Sequence, residues 1–165
     1  MKNFKIYLPL MLFFALLSCK EKSKLPSTNP PKQEKITIIE WSNYGGDLGF
    51  AQTLTITKDS ITHSEFLAAD NNNITVNKYK NTNENWEYLI NSFKWSDFKK
   101  IKSGESVQEV DGTDQKIHIK TNTTSDSIIN GHEDKLNYSK ISTFIKLLDK
   151  IIDENKKSTA NKDFG

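Results

Sequence analysis

Hydrophobic residues recur at every second position in several short runs, which is the period of a β-strand. In residues 35–42, Ile36 and Ile38 fall on one face of such a strand. Ile39 and Trp41 fall on the other face, and two apolar faces are typical of a strand at the centre of a sheet. Further strands are predicted at 52–57, 61–67, 74–79, 115–121 and 125–130.

The hydrophobic period lengthens to three and four residues in two places, which indicates helices. Thr82 is a typical N-cap residue, and the apolar stripe behind it comprises Trp86, Leu89, Ile90 and Phe93. A short second turn begins at Ser96. The longest stripe predicts a helix over 138–155 and comprises Ile141, Phe144, Ile145, Leu148, Ile151 and Ile152.

These elements predict one α+β domain, in which an antiparallel sheet of about five or six strands has two helices packed on one face. The domain is expected to cover residues 35–156, with a polar loop at 104–113. Residues 157–165 are polar and are predicted to form a flexible tail.

The N-terminus carries a different pattern, in which a positively charged start precedes an apolar stretch too short to span a bilayer. Residues 1–18 are therefore predicted to be a signal peptide. Its end, Leu16-Leu17-Ser18-Cys19, resembles the lipobox of bacterial lipoproteins. That resemblance implies cleavage before Cys19 and acylation of this residue, which anchors the mature chain in a lipid bilayer. The alternative is an ordinary signal peptide that contains a cysteine by chance.

Residues 19–34 contain three prolines and almost no apolar side chains, so they are predicted to form a disordered tether. Fully extended, this segment reaches roughly 50 Å. Lys20 follows the cysteine, and no aspartate stands beside it to resemble the inner-membrane retention signal. We therefore expect the protein in the cell envelope, in the outer membrane, with the leaflet and the facing side left open.

The charge balance argues against nucleic acid as a partner. The chain has 23 basic and 21 acidic side chains, and two of the lysines lie in the signal peptide. The mature side chains therefore sum to zero, and no basic field attracts a phosphate backbone. Every basic residue is lysine, so the bidentate guanidinium that reads guanine is missing.

A glycine-rich turn at 43–50 follows the first strand, as phosphate-binding loops do, but a strand and not a helix comes next. The simplest interpretation is a turn whose glycines take positive φ angles. The alternative is a contact surface for a ligand or partner, formed by Trp41 and Tyr44 at the flanks of the turn.

Acidic and histidine side chains give weak catalytic or metal-binding signals. Asp111 and Asp114 stand close together before a strand and are the candidate acid–base pair, although Asp-Gly is also a common turn dipeptide. His63, His118 and His132 have no second ligand at metal-site spacing, so isolated surface histidines are expected. His118 alternates with isoleucines and should point to the solvent face of its strand. We expect no cofactor.

One further set of segments lies in the second half of the domain and comprises Trp95, Phe98–Ile101, Ser103–Glu105, Asp111–Asp114, Lys116–Ile119 and Asn130-Gly131. Together these segments resemble small lipoproteins of Bacteroidota, a family without an assigned activity. The resemblance implies lineage and envelope location, and no site residue follows from it.

Three functions follow as hypotheses. The first is a non-catalytic domain that binds an envelope or secreted protein, for example as an immunity or inhibitor protein. The second is an enzyme acting on a cell-surface polymer through Asp111 and Asp114, with His118 nearby. The third is a structural spacer. The sequence favours the first by elimination.

Overall fold

The computed structural model describes residues 34–46, 49–67 and 74–160, with side chains described as far as Glu154. The predictions for the signal peptide, for Cys19, for the flexible tail after Ala160 and for all of the tether except Glu34 fall outside these residues. The chain divides into two units, residues 1–32 and 33–165, and every described residue belongs to the second.

Six antiparallel strands form one sheet in the order β4-β3-β2-β1-β5-β6, which confirms the predicted fold class. The first strand lies between β2 and β5, as its two apolar faces predicted. The strands are β1 (Ile36–Gly45), β2 (Phe50–Ile56), β3 (Ser60–Leu67), β4 (Thr75–Lys80), β5 (Thr113–Thr121) and β6 (Ser125–Ile129).

An irregularity in β1 changes which isoleucines reach the core. The pairing with β5 shifts between Ile36 and Ile38, which marks a β-bulge at this point. Ile36 therefore packs against the same core as Ile39. Simple alternation had placed Ile36 with Ile38, so that part of the prediction was wrong.

Helices cover one face of the sheet, which we call the helix face, and the other is called the open face. They are α1 (Asn83–Asn91), α2 (Trp95–Phe98), α3 (Lys135–Tyr138) and α4 (Ser142–Ala160). Thr82 caps α1 as predicted, because its side chain accepts a hydrogen bond from the backbone N–H of Asn85 at 3.1 Å. Sheet and helices share one buried core, whose fully buried large apolar side chains are Phe98, Phe144, Ile39, Leu54, Ile56, Leu89, Ile117, Ile119, Ile141 and Leu148.

The last helical region is longer than predicted at both ends. Its apolar stripe is buried as expected, but α3 and a 3₁₀ turn at Ser139–Ile141 precede α4. The Asp134 carboxylate starts this region by accepting from the backbone N–H of Asn137 at 3.4 Å and from its side-chain amide at 3.0 Å. At the other end, α4 continues to Ala160, beyond the predicted domain boundary at residue 156.

Candidate functional site

Asp114 lies on the open face and is nevertheless 1% exposed. Strand register pairs it with Tyr44, and the core residue Ile117, three positions further along β5, points to the opposite face. Its burial therefore comes from the loop before β5, whose residues fold over the carboxylate. A residue whose strand position predicts solvent exposure is enclosed by a segment that precedes it in the chain.

Four donors surround the Asp114 carboxylate. The Ser106 hydroxyl lies at 2.6 Å, the Val107 backbone N–H at 3.0 Å, the Gln108 side-chain amide at 2.9 Å and the Asn130 side-chain amide at 2.8 Å. These hydrogen bonds, that from Ser106 first, hold the pKa of Asp114 well below its usual range, against the opposing effect of burial. The carboxylate is thus kept ionised, whereas a general acid needs a raised pKa.

Asp111 does not belong to this cluster of four donors around the Asp114 carboxylate. It is exposed and takes a left-handed conformation, with φ 56°, after a 3₁₀ turn at Gln108–Val110. The backbone N–H of Gly112 then donates to the carbonyl of Val107 at 2.8 Å, which closes the turn. The turn interpretation of this Asp-Gly pair is therefore supported by the geometry, which gives Asp111 and Asp114 unlike environments.

The two glycine-containing turns that the sequence marked separately lie against each other. The N–H of Gly46 donates to the carbonyl of Gly112 at 3.1 Å, and a Cβ on Gly45 would overlap that carbonyl oxygen. Gly45, Gly46 and Gly49 all have positive φ, as the turn interpretation predicted. Glycine at position 45 thus allows the loop over Asp114 to contact the end of β1.

The prediction that Trp41 contributes to a contact surface beside this turn is wrong. Residues 43–45 belong to β1, so Trp41 lies within the strand on the helix face, where it is 5% exposed in the core. Tyr44 faces the opposite way, is partly buried, and pairs with Asp114 across the strands. Desolvation, and then the Asp114 charge, raise the pKa of Tyr44.

The histidines occupy three different environments. His118 points to the open face opposite Glu40, as predicted, and His132 is exposed. The expectation of a surface histidine is wrong for His63, which is 2% exposed on the helix face. The signal that could have identified it is its alternation with Ile61, since both side chains share one face.

A second buried polar cluster surrounds His63. The Gln52 side-chain amide lies 2.9 Å from Nε2 of His63 and donates to Glu65 Oε1 at 2.7 Å. The same His63 nitrogen lies 3.5 Å from Glu65 Oε1. The Gln52 amide therefore bridges the side chains of His63 and Glu65. Two apolar neighbours on the same face, Leu54 and Ile61, enclose the cluster.

No group of three or more potential metal ligands occurs among the described histidine, aspartate and glutamate residues. The sequence His132-Glu133-Asp134 is not such a group, because Asp134 caps α3 and also accepts from the backbone N–H of Lys102 at 3.0 Å. Within the same described residues, no helix is long and apolar enough to cross a membrane.

A groove of about 700 Å³ lies between α1, the start of α2 and the beginning of β1. Its walls are aromatic and aliphatic, and charged residues of both signs line it as well. The apolar residues are Ile36, Trp86, Ile90, Phe93 and Trp95. The charged residues are Glu34, Lys35, Lys58 and Glu87. The groove joins segments far apart in the chain, so no local sequence pattern predicted it.

Trp95 forms one wall of this groove and is held in place from two sides. Its ring stacks on Phe98, with centroids 5.5 Å apart and planes inclined by 14°. The Lys99 ammonium lies 5.5 Å from the Trp95 ring centroid and 3.7 Å from Glu34. The Trp95 indole nitrogen is buried and has no hydrogen-bond partner among the described residues.

Comparisons of the chain with protein families, with curated proteins and with solved structures gave no match.

Proposed function

We propose that this protein is a lipid-anchored envelope protein whose domain binds a segment of another envelope or secreted protein in the groove beside Trp95. The groove carries the proposal. Its volume falls in the range of ligand sites, and such sites typically have apolar walls with a few polar groups. The charged side chains Glu34, Lys35, Lys58 and Glu87 supply polar groups of that kind along the groove.

The charges along the groove indicate the chemistry of the bound segment. Two acidic residues, Glu34 and Glu87, are balanced by Lys35 and Lys58. A balanced rim does not select a strongly charged ligand, and charged groups at a rim contribute more to specificity than to affinity. We therefore propose an apolar segment without net charge, held mainly by burial against the aromatic walls.

The lipobox-like sequence that ends at Cys19 is the basis for the lipid anchor in this proposal. Acylation there, followed by the tether, holds the domain near a membrane surface, where its partner is met. The immunity or inhibitor role is the specific form of this proposal. The enzymatic alternative is not favoured, because the Asp114 carboxylate is fully used in hydrogen bonds that organise the adjacent loop.

The test is affinity capture of the native lipidated protein from its own envelope, with a Cys19→Ala form as the unanchored comparison. We expect both forms to retain one stoichiometric partner, and a Trp95→Ala variant to bind it at least about tenfold more weakly, as expected for a buried aromatic contact. A Glu109→Lys variant, changed at an exposed position outside the groove, is the control. Equal binding by the Trp95→Ala and native proteins contradicts the groove as the binding site.

A further inference from the structure

The two edges of the sheet differ in whether other segments of the described chain form hydrogen bonds with their outward backbone groups. On β6 the backbone N–H of Ile129 donates to the Ser103 hydroxyl at 3.0 Å, and its carbonyl accepts from Gly104 at 2.8 Å. The N–H of Ser127 donates to the carboxylate of Asp126 at 2.8 Å. The chain itself therefore satisfies much of this edge.

Strand register identifies the backbone groups at the other edge, on β4. The N–H of Asn81 donates to the carbonyl of Asp59 at 3.1 Å, which makes this antiparallel pair a hydrogen-bonded one. Odd-numbered residues of β4 therefore bond to β3, and the N–H and C=O groups of Val76, Lys78 and Lys80 point away from it. Among the described residues, no hydrogen bond reaches these outward groups.

The side chains of the same three residues share the open face. Val76 is 58% exposed, and Ile74, just before the strand, is 61% exposed. Lys78 and Lys80 are exposed and form no salt bridge within the described part of the chain. The β3 residues opposite the three are Ser64, Thr62 and Ser60, none of which is acidic.

We propose that β4 accepts an extended strand from a partner protein, and that this strand carries acidic residues opposite Lys80 and Lys78 and an apolar residue opposite Val76. Antiparallel pairing fixes the order of these positions as acidic-x-acidic-x-apolar in the partner. Added strands of this kind gain affinity from main-chain hydrogen bonds and specificity from alternate side chains. This surface is separate from the groove and adds a second contact to the proposed binding function.

The lysines select the acidic strand in two ways. Lysines on an edge deter pairing with neutral or basic strands, and they attract a strand with carboxylates opposite them. A second copy of this chain is a poor occupant, because two β4 strands bring four lysines to one face. The same side chains that protect the edge against aggregation thus give it a preference for one class of partner.

The experiment measures binding of a synthetic peptide, Thr-Asp-Thr-Glu-Thr-Val-Thr with blocked ends, to the full-length protein by fluorescence anisotropy. We expect binding, with slower amide exchange at Val76, Lys78 and Lys80. The Lys78→Glu/Lys80→Glu variant should bind this peptide about tenfold more weakly and should prefer a peptide with lysines at the two acidic positions. Val76→Pro, which removes an outward N–H without removing a bond to β3, should also weaken binding.

The control is Lys116→Glu/Lys120→Glu, which makes the same charge change on the open face of an interior strand and should leave peptide binding unchanged. The proposal is overturned if the peptide does not bind, if the control weakens it as much as the β4 variant, or if Val76→Pro instead abolishes a homodimer seen by sedimentation. The Trp95→Ala variant should bind this peptide normally. Failure of the groove and failure of the strand edge are therefore distinguishable.

Discussion

The domain contains two buried polar clusters, one on each face of the sheet. In the Asp114 cluster, the carboxylate accepts hydrogen bonds from Ser106, Val107, Gln108 and Asn130. The donor of Val107 is a backbone N–H, so the carboxylate holds the main chain of the loop directly. In the Gln52 cluster, the Gln52 amide joins the side chains of His63 and Glu65. The difference indicates that the first determines a backbone conformation, whereas the second satisfies polar groups that apolar residues could replace.

The largest effect is therefore expected from Asp114→Ala. This change leaves several buried donors without an acceptor and releases the loop over the open face, so the melting temperature should fall by roughly 10 °C or more. Thermal unfolding followed by circular dichroism measures it. The exposed neighbour provides the control, since Asp111→Ala should shift the midpoint by far less. Similar shifts for the two variants would contradict the proposed role of the cluster.

Gly45→Ala tests the same loop from the other strand. The new Cβ would overlap the carbonyl oxygen of Gly112 at a backbone φ of 129°, and we expect a loss of about 3 kcal/mol in unfolding free energy. Gly46→Ala is the matched control. It also has a positive φ, 77°, but its Cβ would meet only Thr113 Oγ1 at 3.9 Å, so about 1 kcal/mol is expected. Urea denaturation of both variants measures the difference, and equal losses would show that the contact with Gly112 contributes nothing.

Asp114 and His63, the central residues of the two clusters, also show how far the sequence could predict the structure. Alternation predicted the strands because it is a local property, and the helical stripes were found for the same reason. Strand register places Asp114 on the open face, but its burial depends on a loop packed over it, which no local period encodes. The same alternation could have predicted the burial of His63, because His63 and Ile61 share one face of their strand. Alternation could not have predicted the groove beside Trp95, because the groove forms only through the relative placement of β1, α1 and α2.

The Gln52 cluster should tolerate complete replacement better than partial replacement. Gln52→Leu removes the amide that bridges His63 and Glu65, at an expected cost of about 2 kcal/mol. Replacing His63 by leucine as well should recover at least half of this loss, since both members of the closest buried pair are then apolar. Chemical denaturation of the single and double variants gives the coupling. A double variant less stable than Gln52→Leu would show that an apolar residue cannot replace His63, as is expected for Asp114.

The smallest expected effect is the pH dependence of the stability that the Asp114 cluster contributes. Because its hydrogen bonds hold the pKa of Asp114 below the usual value of 3.8, the folded state is stabilised by ionised Asp114 above that value. This contribution is lost as the pH falls below about 4, when the unfolded state binds the proton first. The stability difference between the native protein and Asp114→Asn should therefore narrow on acidification from pH 7 to pH 3. The difference for Gly45→Ala should stay nearly constant, because that substitution changes no titrating group. A constant difference for Asp114→Asn would mean that its carboxylate acts only through shape and neutral hydrogen bonding.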